Sequence, residues 1–416
     1  MNIIEHATHG YKKFKVQELF LKIFQTILFI WIFSIPLKNA LYQISTALIV
    51  ILFLIHCLYY KQKDFLLEIL TTYKKLLIVF LLFIASMTLS TLLGISDKSE
   101  FLEIFKYIYR YVFIFIILLY FYKQSLFSRQ WLLSVIFIVL CINSLDGIYQ
   151  YFTGIDFIAN KPPDGSSLLT GAVYHHNPFG LFMAIGAIMS LVLFFDKHNY
   201  TIFKYDKIMY FTSLIMFFFT LFHSQSRSAW VMFGIFSIGY LFLYIKNNGI
   251  DKKLFYTISS LLIISVIFFL IDDSLSHRLT LLLQGNSSGR TTQIWPFTID
   301  KIVNSPIFGY GINTYKVLAG ASPVGHHAGV HNLTLELLLY TGIVGFSIFS
   351  YLIWLTFKES FTENKIYYFI LFLSFIILMQ FDGSLINGKI HLNILILILF
   401  FIYSFRLEKI TSSALK

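Results

Sequence analysis

Apolar stretches of membrane-spanning length recur along the whole chain, and this repetition limits the fold more than any other feature. A hydrocarbon core about 30 Å thick takes roughly 20 apolar residues per helix. Runs of that kind fall near 18–36, 41–60, 76–94, 105–122, 131–152, 171–195, 208–223, 229–246, 254–271, 331–356, 366–381 and 390–405. They predict an all-α polytopic integral membrane protein with about 12 transmembrane helices. The composition agrees: 57% of the residues are hydrophobic and 13% are charged, against about 25% charged in soluble domains. A soluble chain of 416 residues would divide into two or three domains, whereas runs spread over its whole length argue for one membrane domain. The 47 Phe and 26 Tyr suit membrane interfaces.

The net charge of +11 does not point to nucleic acid. The positive residues sit in short loops between apolar runs, not on one amphipathic face. Clusters such as Lys74 and Lys75, Lys123 and Arg129, and Lys252 and Lys253 fall on one side of the membrane. By the positive-inside rule that side is cytoplasmic, and both termini are expected there. The first apolar segment, beginning near Glu18, shows no small-residue cleavage site and is expected to remain as a helix. Cys57 and Cys141 lie inside apolar runs without metal-ligand spacing and read as small buried hydrophobes. The expected organisation is transmembrane helices 1–9 over residues 1–271, a long outer loop over 272–330, and helices 10–12 with a cytoplasmic C-terminus over 331–416. Loops of that length tend to carry function. Within this one, Ser288 is expected to cap a helix that Pro296 distorts in its middle. Trp295, Phe297, Phe308 and Tyr310 are expected to pack the loop onto the membrane surface.

Ionisable residues at membrane depth are costly and so are functional candidates. Arg227, in HSQSRSAW, stands in a very short outer turn among Ser224, Gln225, Ser226 and Ser228. A planar guanidinium fixed there can grip a phosphate bidentately, or it can simply reach the headgroups. Arg290, in NSSGRTTQIW, lies at a predicted helix start, where free N–H groups favour anions; an ordinary loop arginine is the plain alternative. His331 and Asn332 stand where the long loop returns to the membrane. There a histidine can serve as a general base near neutral pH or as a packed interfacial residue. Glu336, one to two turns further on, can orient that histidine or partner an arginine. Lys106 and Arg110 share one helix face and either add positive charge to a phosphate site or anchor the helix. His175-His176-Asn177-Pro178 reads as the shaping of a helix start, not as a ligand set. His326, His327 and His331 lack an HExxH pattern or a cysteine partner, so no metal site is read there. No phosphate-binding loop or nucleophile elbow is present in the sequence.

The stretches SQSRSAW, SGRTTQIWPFTIDKIVNSPIFGYGINTY and HNLTLELLLYTGIVG, in that order and with these intervening spans, resemble the signature of the O-antigen ligase and polymerase superfamily of bacterial inner membranes. TGAVYHHNPFGLFMA resembles the family's helix start before the arginine-bearing turn. The resemblance covers roughly 170–346; the earlier part agrees in topology only. It implies a glycosyltransferase that takes glycan from undecaprenyl diphosphate and passes it to a hydroxyl, which in the ligases belongs to the lipid A–core oligosaccharide. The diphosphate already activates the sugar, so no cofactor or metal is implied, and in-line attack inverts the anomeric centre. By the same resemblance Arg227 and Arg290 bind the diphosphate, His331 is the essential histidine, and the long loop is periplasmic. A ligase is the leading expectation. A polymerase extending lipid-linked glycan uses the same donor chemistry. A non-catalytic transporter or lipid-binding protein would call for related halves, and the sequence shows none that is convincing.

Overall fold

The computed structural model describes residues 2–37, 39–59, 63–165, 168–173, 175–195, 206–286 less Asn286, 289–320, 322, 324, 329–362, 365–382, 384–386 and 388–414. Ser288, His326 and His327 lie outside the described residues. The chain is helical almost throughout: α1 (Asn2–Ser34), α2 (Asn39–Tyr59), α3 (Lys63–Thr72), α4 (Lys74–Leu93), α5 (Glu100–Tyr107), α6 (Phe113–Lys123), α7 (Arg129–Thr153), α8 (His176–Phe195), α9 (Asp206–His223), α10 (Arg227–Asn248), α11 (Lys252–Ile271), α12 (Asp273–Leu283), α13 (Trp295–Asn304), α14 (Tyr315–Ala319), α15 (Leu333–Ser360), α16 (Ile366–Asp382) and α17 (Lys389–Ala414). Single π-helical turns join α5 to α6 at Ile108–Val112 and lead into α13 at Arg290–Ile294. Among the described residues there is no β-strand, only one isolated antiparallel bridge between Asp164 and Leu168.

Among the described residues, ten stretches are long and apolar enough to cross a membrane, and Lys207–His223 and Ile366–Asp382 are shorter apolar helices. The protein is thus a multi-pass, all-α membrane protein. Local chemistry sets many helix ends. Ser128 Oγ accepts from Trp131 N at 3.0 Å at the start of α7, and Gly154 closes that helix with φ +79°, a conformation open to glycine without steric cost. Asp251 caps α11 by accepting from Leu254 N at 2.7 Å. Buried polar pairs stitch distant helices together: Tyr42 OH donates to Asn393 Oδ1 at 3.0 Å, and Tyr73 OH to Tyr403 O at 2.8 Å. α8 and α17 run through the interior, whereas α11 is peripheral and leaves Leu262 and Leu270 exposed. Apolar side chains facing outward are what a hydrocarbon surround requires.

Within 272–330, Pro296 stands in the first turn of α13, directly after the π-helical turn Arg290–Ile294, so the helical run is irregular where the proline enters it. Trp295 Nε1 donates to Val330 O at 3.2 Å, and Phe297 packs edge-on to the buried Tyr315.

The Gly309-Tyr310-Gly311 segment is wedged between α4 and a break in α15. Tyr310 N donates to Leu339 O at 2.9 Å and Gly311 N to Tyr340 O at 3.0 Å, while Ile343 N donates to Pro306 O at 2.8 Å. The free carbonyls and amides exist because Gly342 interrupts α15 with φ +60° and ψ −167°, a region essentially confined to glycine. A Cβ on Gly342 would stand 2.2 Å from Ile307 O. Gly342→Ala is therefore expected to destabilise by at least about 1–3 kcal/mol, lowering the thermal midpoint in detergent. Gly234→Ala is the control, because a Cβ there meets nothing within 4 Å; equal midpoints for the two variants would overturn this account of the break.

Candidate active site

The ends of α9, α11 and α16 and the starts of α8, α10, α15 and α17 meet at one end of the bundle. At their centre is Asp382, the last residue of α16, whose side chain is 6% exposed. Its Oδ1 lies 3.3 Å from Arg290 Nη2 and 3.2 Å from His331 Nδ1. Its Oδ2 accepts from Ser228 Oγ at 3.5 Å. Arg290 also donates to the carbonyl of Phe381. One carboxylate thus binds the π-turn before α13, the residue preceding the α15 cap, and the first turn of α10.

Each of these groups is delivered by a specific local device. α9 and α10 are two helices joined by a tight turn in which Gln225 takes φ +53°. Ser226 is the N-cap residue and Arg227 the first residue of α10. Trp230 Nε1 donates back to Leu221 O at 3.0 Å, fixing the turn's return. α8 packs tightly against it, since a Cβ on Gly180 would lie 2.5 Å from Ser226 Cβ. Arg290 opens its π-turn directly after Gly289, which sits at the N-cap position with φ +79°.

His331 also takes a left-handed φ of +53°, uncommon for a residue with a Cβ and characteristic of functional sites. Asn332 is the N-cap of α15: its Oδ1 accepts from Leu335 N at 2.9 Å, and its Nδ2 donates to Gln380 O at 2.9 Å. Thr334 Oγ1 donates to Gln380 Oε1 at 2.9 Å. These bonds hold the start of α15 against the last turn of α16, and so hold His331 against Asp382. Asn332 acts by placing its neighbour.

With Nδ1 turned to Asp382, the ring proton is held on that nitrogen. Nε2 is then the basic, unprotonated face of the imidazole. The histidine is partly exposed, with 29% of its side chain accessible. An imidazole in that tautomer beside a buried carboxylate is equipped to accept a proton from a hydroxyl.

Arg227 lies within electrostatic reach of Arg290, Arg278 and Asp382. Arg278, on α12, was not among the sequence candidates. Its Nε donates to Gln225 Oε1 at 2.9 Å, and Gln225 Nε2 donates to Ser274 Oγ at 2.8 Å. Ser274 Oγ in turn donates to Asp272 Oδ1 at 2.6 Å, and Asp272 Oδ2 is 3.6 Å from His223 Nε2. The turn that carries Arg227 is thereby tied to α12. Three guanidinium groups gather near one carboxylate and one imidazole, an arrangement suited to a multiply charged anion.

Three sequence candidates stand elsewhere. Glu336 neither touches His331 nor pairs with an arginine. Its Oε1 accepts from Ser384 Oγ at 2.6 Å and its Oε2 from Leu385 N at 2.8 Å, so it holds the connection between α16 and α17, within electrostatic reach of His331. Lys106 pairs with Glu103. Arg110 donates to Tyr109 OH at 2.9 Å and acts electrostatically on Lys389. Neither contacts Asp382, His331, Arg227 or Arg290 among the described residues.

No curated protein matches the chain. Residues 211–350, about a third of the chain, match the family model described as O-Antigen ligase, Wzy_C. The matched segment holds Arg227, Arg278, Arg290 and His331 and ends before Asp382. Within this all-helical membrane fold, residues 211–350 are thus similar to the O-antigen ligase family model.

Proposed function

We propose that this protein is an O-antigen ligase of a bacterial inner membrane, with both termini cytoplasmic and the Asp382 site facing the periplasm. Its donor is a glycan on undecaprenyl diphosphate and its acceptor a hydroxyl of the lipid A–core oligosaccharide. The observation that carries this reading is that one buried carboxylate, Asp382, holds both Arg290 and His331, with Arg227 within its electrostatic reach.

In this reaction His331 Nε2 takes the proton of the acceptor hydroxyl. The acceptor oxygen attacks the anomeric carbon from the face opposite the diphosphate. The bond from that carbon to the phosphate oxygen breaks, and its electron pair stays with the departing diphosphate. The anomeric configuration inverts. Asp382 stabilises the imidazolium that forms on His331 and keeps Arg290 in place. Arg290 and Arg227 bear on the charge that grows on the leaving oxygen, a kind of stabilisation that is strong in a water-poor site. Arg278 adds positive charge and braces the Arg227 turn through Gln225. The long connection over 272–330 contributes both Arg278 and Arg290.

Asp382→Asn is expected to lower stability, since Arg290 and His331 lose their counter-charge, and, per amount of folded inserted protein, to transfer glycan on the order of a hundredfold more slowly or worse, because the amide neither fixes the tautomer nor stabilises the imidazolium. The measurement is glycan transferred per amount of inserted protein; activity within a few-fold of the parent would take Asp382 out of the mechanism. Arg290→Lys keeps the charge but loses the planar fork. It is expected to retain a fraction of activity, on the order of a tenth to a hundredth; a fully active lysine variant would show that only charge matters there.

The functional assignment is tested in two deletion strains, one lacking the ligase and one lacking the polymerase, each given a compatible donor glycan. Lipopolysaccharide is read by gel, with His331→Ala and Arg227→Ala as controls. Restored O-antigen on the lipid A–core in the first strain alone is the expected result. Restored chain length in the second strain alone would make the protein a polymerase instead.

A further inference from the structure

Beside the Asp382 site, Asp164, His175 and His176 converge. Their three ligand atoms lie within 4.8 Å of one another. His176 Nδ1 is 3.2 Å and His175 Nε2 is 3.9 Å from the same oxygen, Asp164 Oδ2. The ligands of a tetrahedral zinc ion, at bond lengths near 2.0–2.2 Å, stand about 3.3 Å apart. The first separation matches that of a metal site, the second exceeds it by about 0.6 Å, and the third is no more than 4.8 Å. We propose that Asp164, His175 and His176 form a site for one divalent transition-metal ion of the zinc class, which clips Asp164 to the start of α8.

A simple helix cap accounts for only part of this arrangement. A cap needs the bond from His176 N to Asp164 Oδ2, present at 2.9 Å. It does not need two imidazoles turned to the same carboxylate. Ligation through His175 Nε2 moves the ring proton to Nδ1, so the long 3.3 Å bond that Nδ1 accepts from Asn177 N gives way when an ion binds. His175 Nε2 faces Asp164 at a distance too long for a hydrogen bond and suited to a shared ion. Two imidazole nitrogens and one carboxylate oxygen are a donor set that zinc favours. The side chains of His175 and Asp164 are 45% and 32% exposed, which leaves a fourth position to water.

The placement gives the clip a consequence. Asp164 and Leu168 exchange backbone hydrogen bonds, and Leu169 N donates to His223 O at 3.1 Å. The loop is thus bonded to the residue that ends α9, directly before the Arg227 turn. On the other side, α8 packs on that turn through Gly180. An ion joining Asp164 to His175 and His176 would close a ring around the segment that positions Arg227. His176 is also within electrostatic reach of Asp382. The ion's role is to hold this wall in place; the arginines and His331 carry the proposed chemistry.

The test needs no transfer assay. The full chain is purified in detergent through a tag without histidines, stripped with a chelator, and titrated with Zn2+. Bound metal is measured by elemental analysis and stability by thermal unfolding. The expected result is one tightly bound Zn2+ per chain and a rise in the thermal midpoint on adding it. Asp164→Asn and His175→Ala are each expected to weaken binding by at least about tenfold and to remove the midpoint shift. His175 is the most exposed of the three, so His175→Ala decides the matter if Asp164→Asn fails to fold. Parent and His175→Ala proteins that bind equal amounts of Zn2+, or a parent that binds none, would overturn the proposal.

Discussion

A buried carboxylate at the end of an apolar helix dictates much of the surrounding architecture. Leaving the charge of Asp382 unpaired at that depth would cost several kcal/mol. The fold meets it with a guanidinium, an imidazole and a hydroxyl from three separate segments. Those segments are widely spaced in sequence, at Ser228, Arg290 and His331, and they have little else in common. Removing one partner of such a cluster is more harmful than its net contribution suggests, because the others are left buried and uncompensated. The ion cluster is therefore a register mark for the bundle: α10, the π-turn, α15 and α16 must all arrive correctly for any one of them to be satisfied.

The backbone around this cluster is held in conformations that the bundle must enforce. Gln225 and His331 both take φ of +53°, and each stands next to a residue that touches or faces the site. Strain of this sort persists only where neighbouring bonds over-determine it. For Gln225 those bonds run to Arg278 and Ser274; for His331 they run through Asn332 and Thr334 to Gln380. The break at Gly342 serves the same end at longer range. It lets the 306–311 segment bond into α15, and Gly94 at the end of α4 approaches Tyr310 so closely that a Cβ would overlap its carbonyl. The connection that carries Arg278 and Arg290 is thus pinned to the membrane bundle at its middle as well as at its ends.

Much of the helical layout was legible in the sequence because apolar length is a one-dimensional signal. Arg227 and Arg290 stood out because a charge beside apolar runs has few inexpensive explanations. Asp382 was not seen. In LMQFDGSL it reads as the ordinary polar residue that ends a span, and only its partners reveal its role. A carboxylate at the end of the apolar run directly before the last span is, in retrospect, the available signal. Arg278 was hidden for the opposite reason, lying in a stretch already rich in polar residues. Lys106 and Arg110 illustrate a different limit. Helical spacing correctly puts two residues near one another, but it cannot say which neighbour that face meets. Asp164 joins His175 and His176 through a loop closure that no periodicity encodes.

The balance of charge favours a substrate over a self-contained ion network. A structural cluster tends toward neutrality, since every unpaired buried charge is a penalty. Here Arg227 interacts electrostatically with Arg290, Arg278 and Asp382, while Asp272 is engaged by His223 and Ser274. Guanidinium groups that face one another are best stabilised together by an anion, and the proposed donor's diphosphate is one. The same accounting explains why Asp382 pairs with Arg290 through a single oxygen and at 3.3 Å. The grip is firm enough to orient the guanidinium and loose enough to leave most of its donors for the phosphate oxygens.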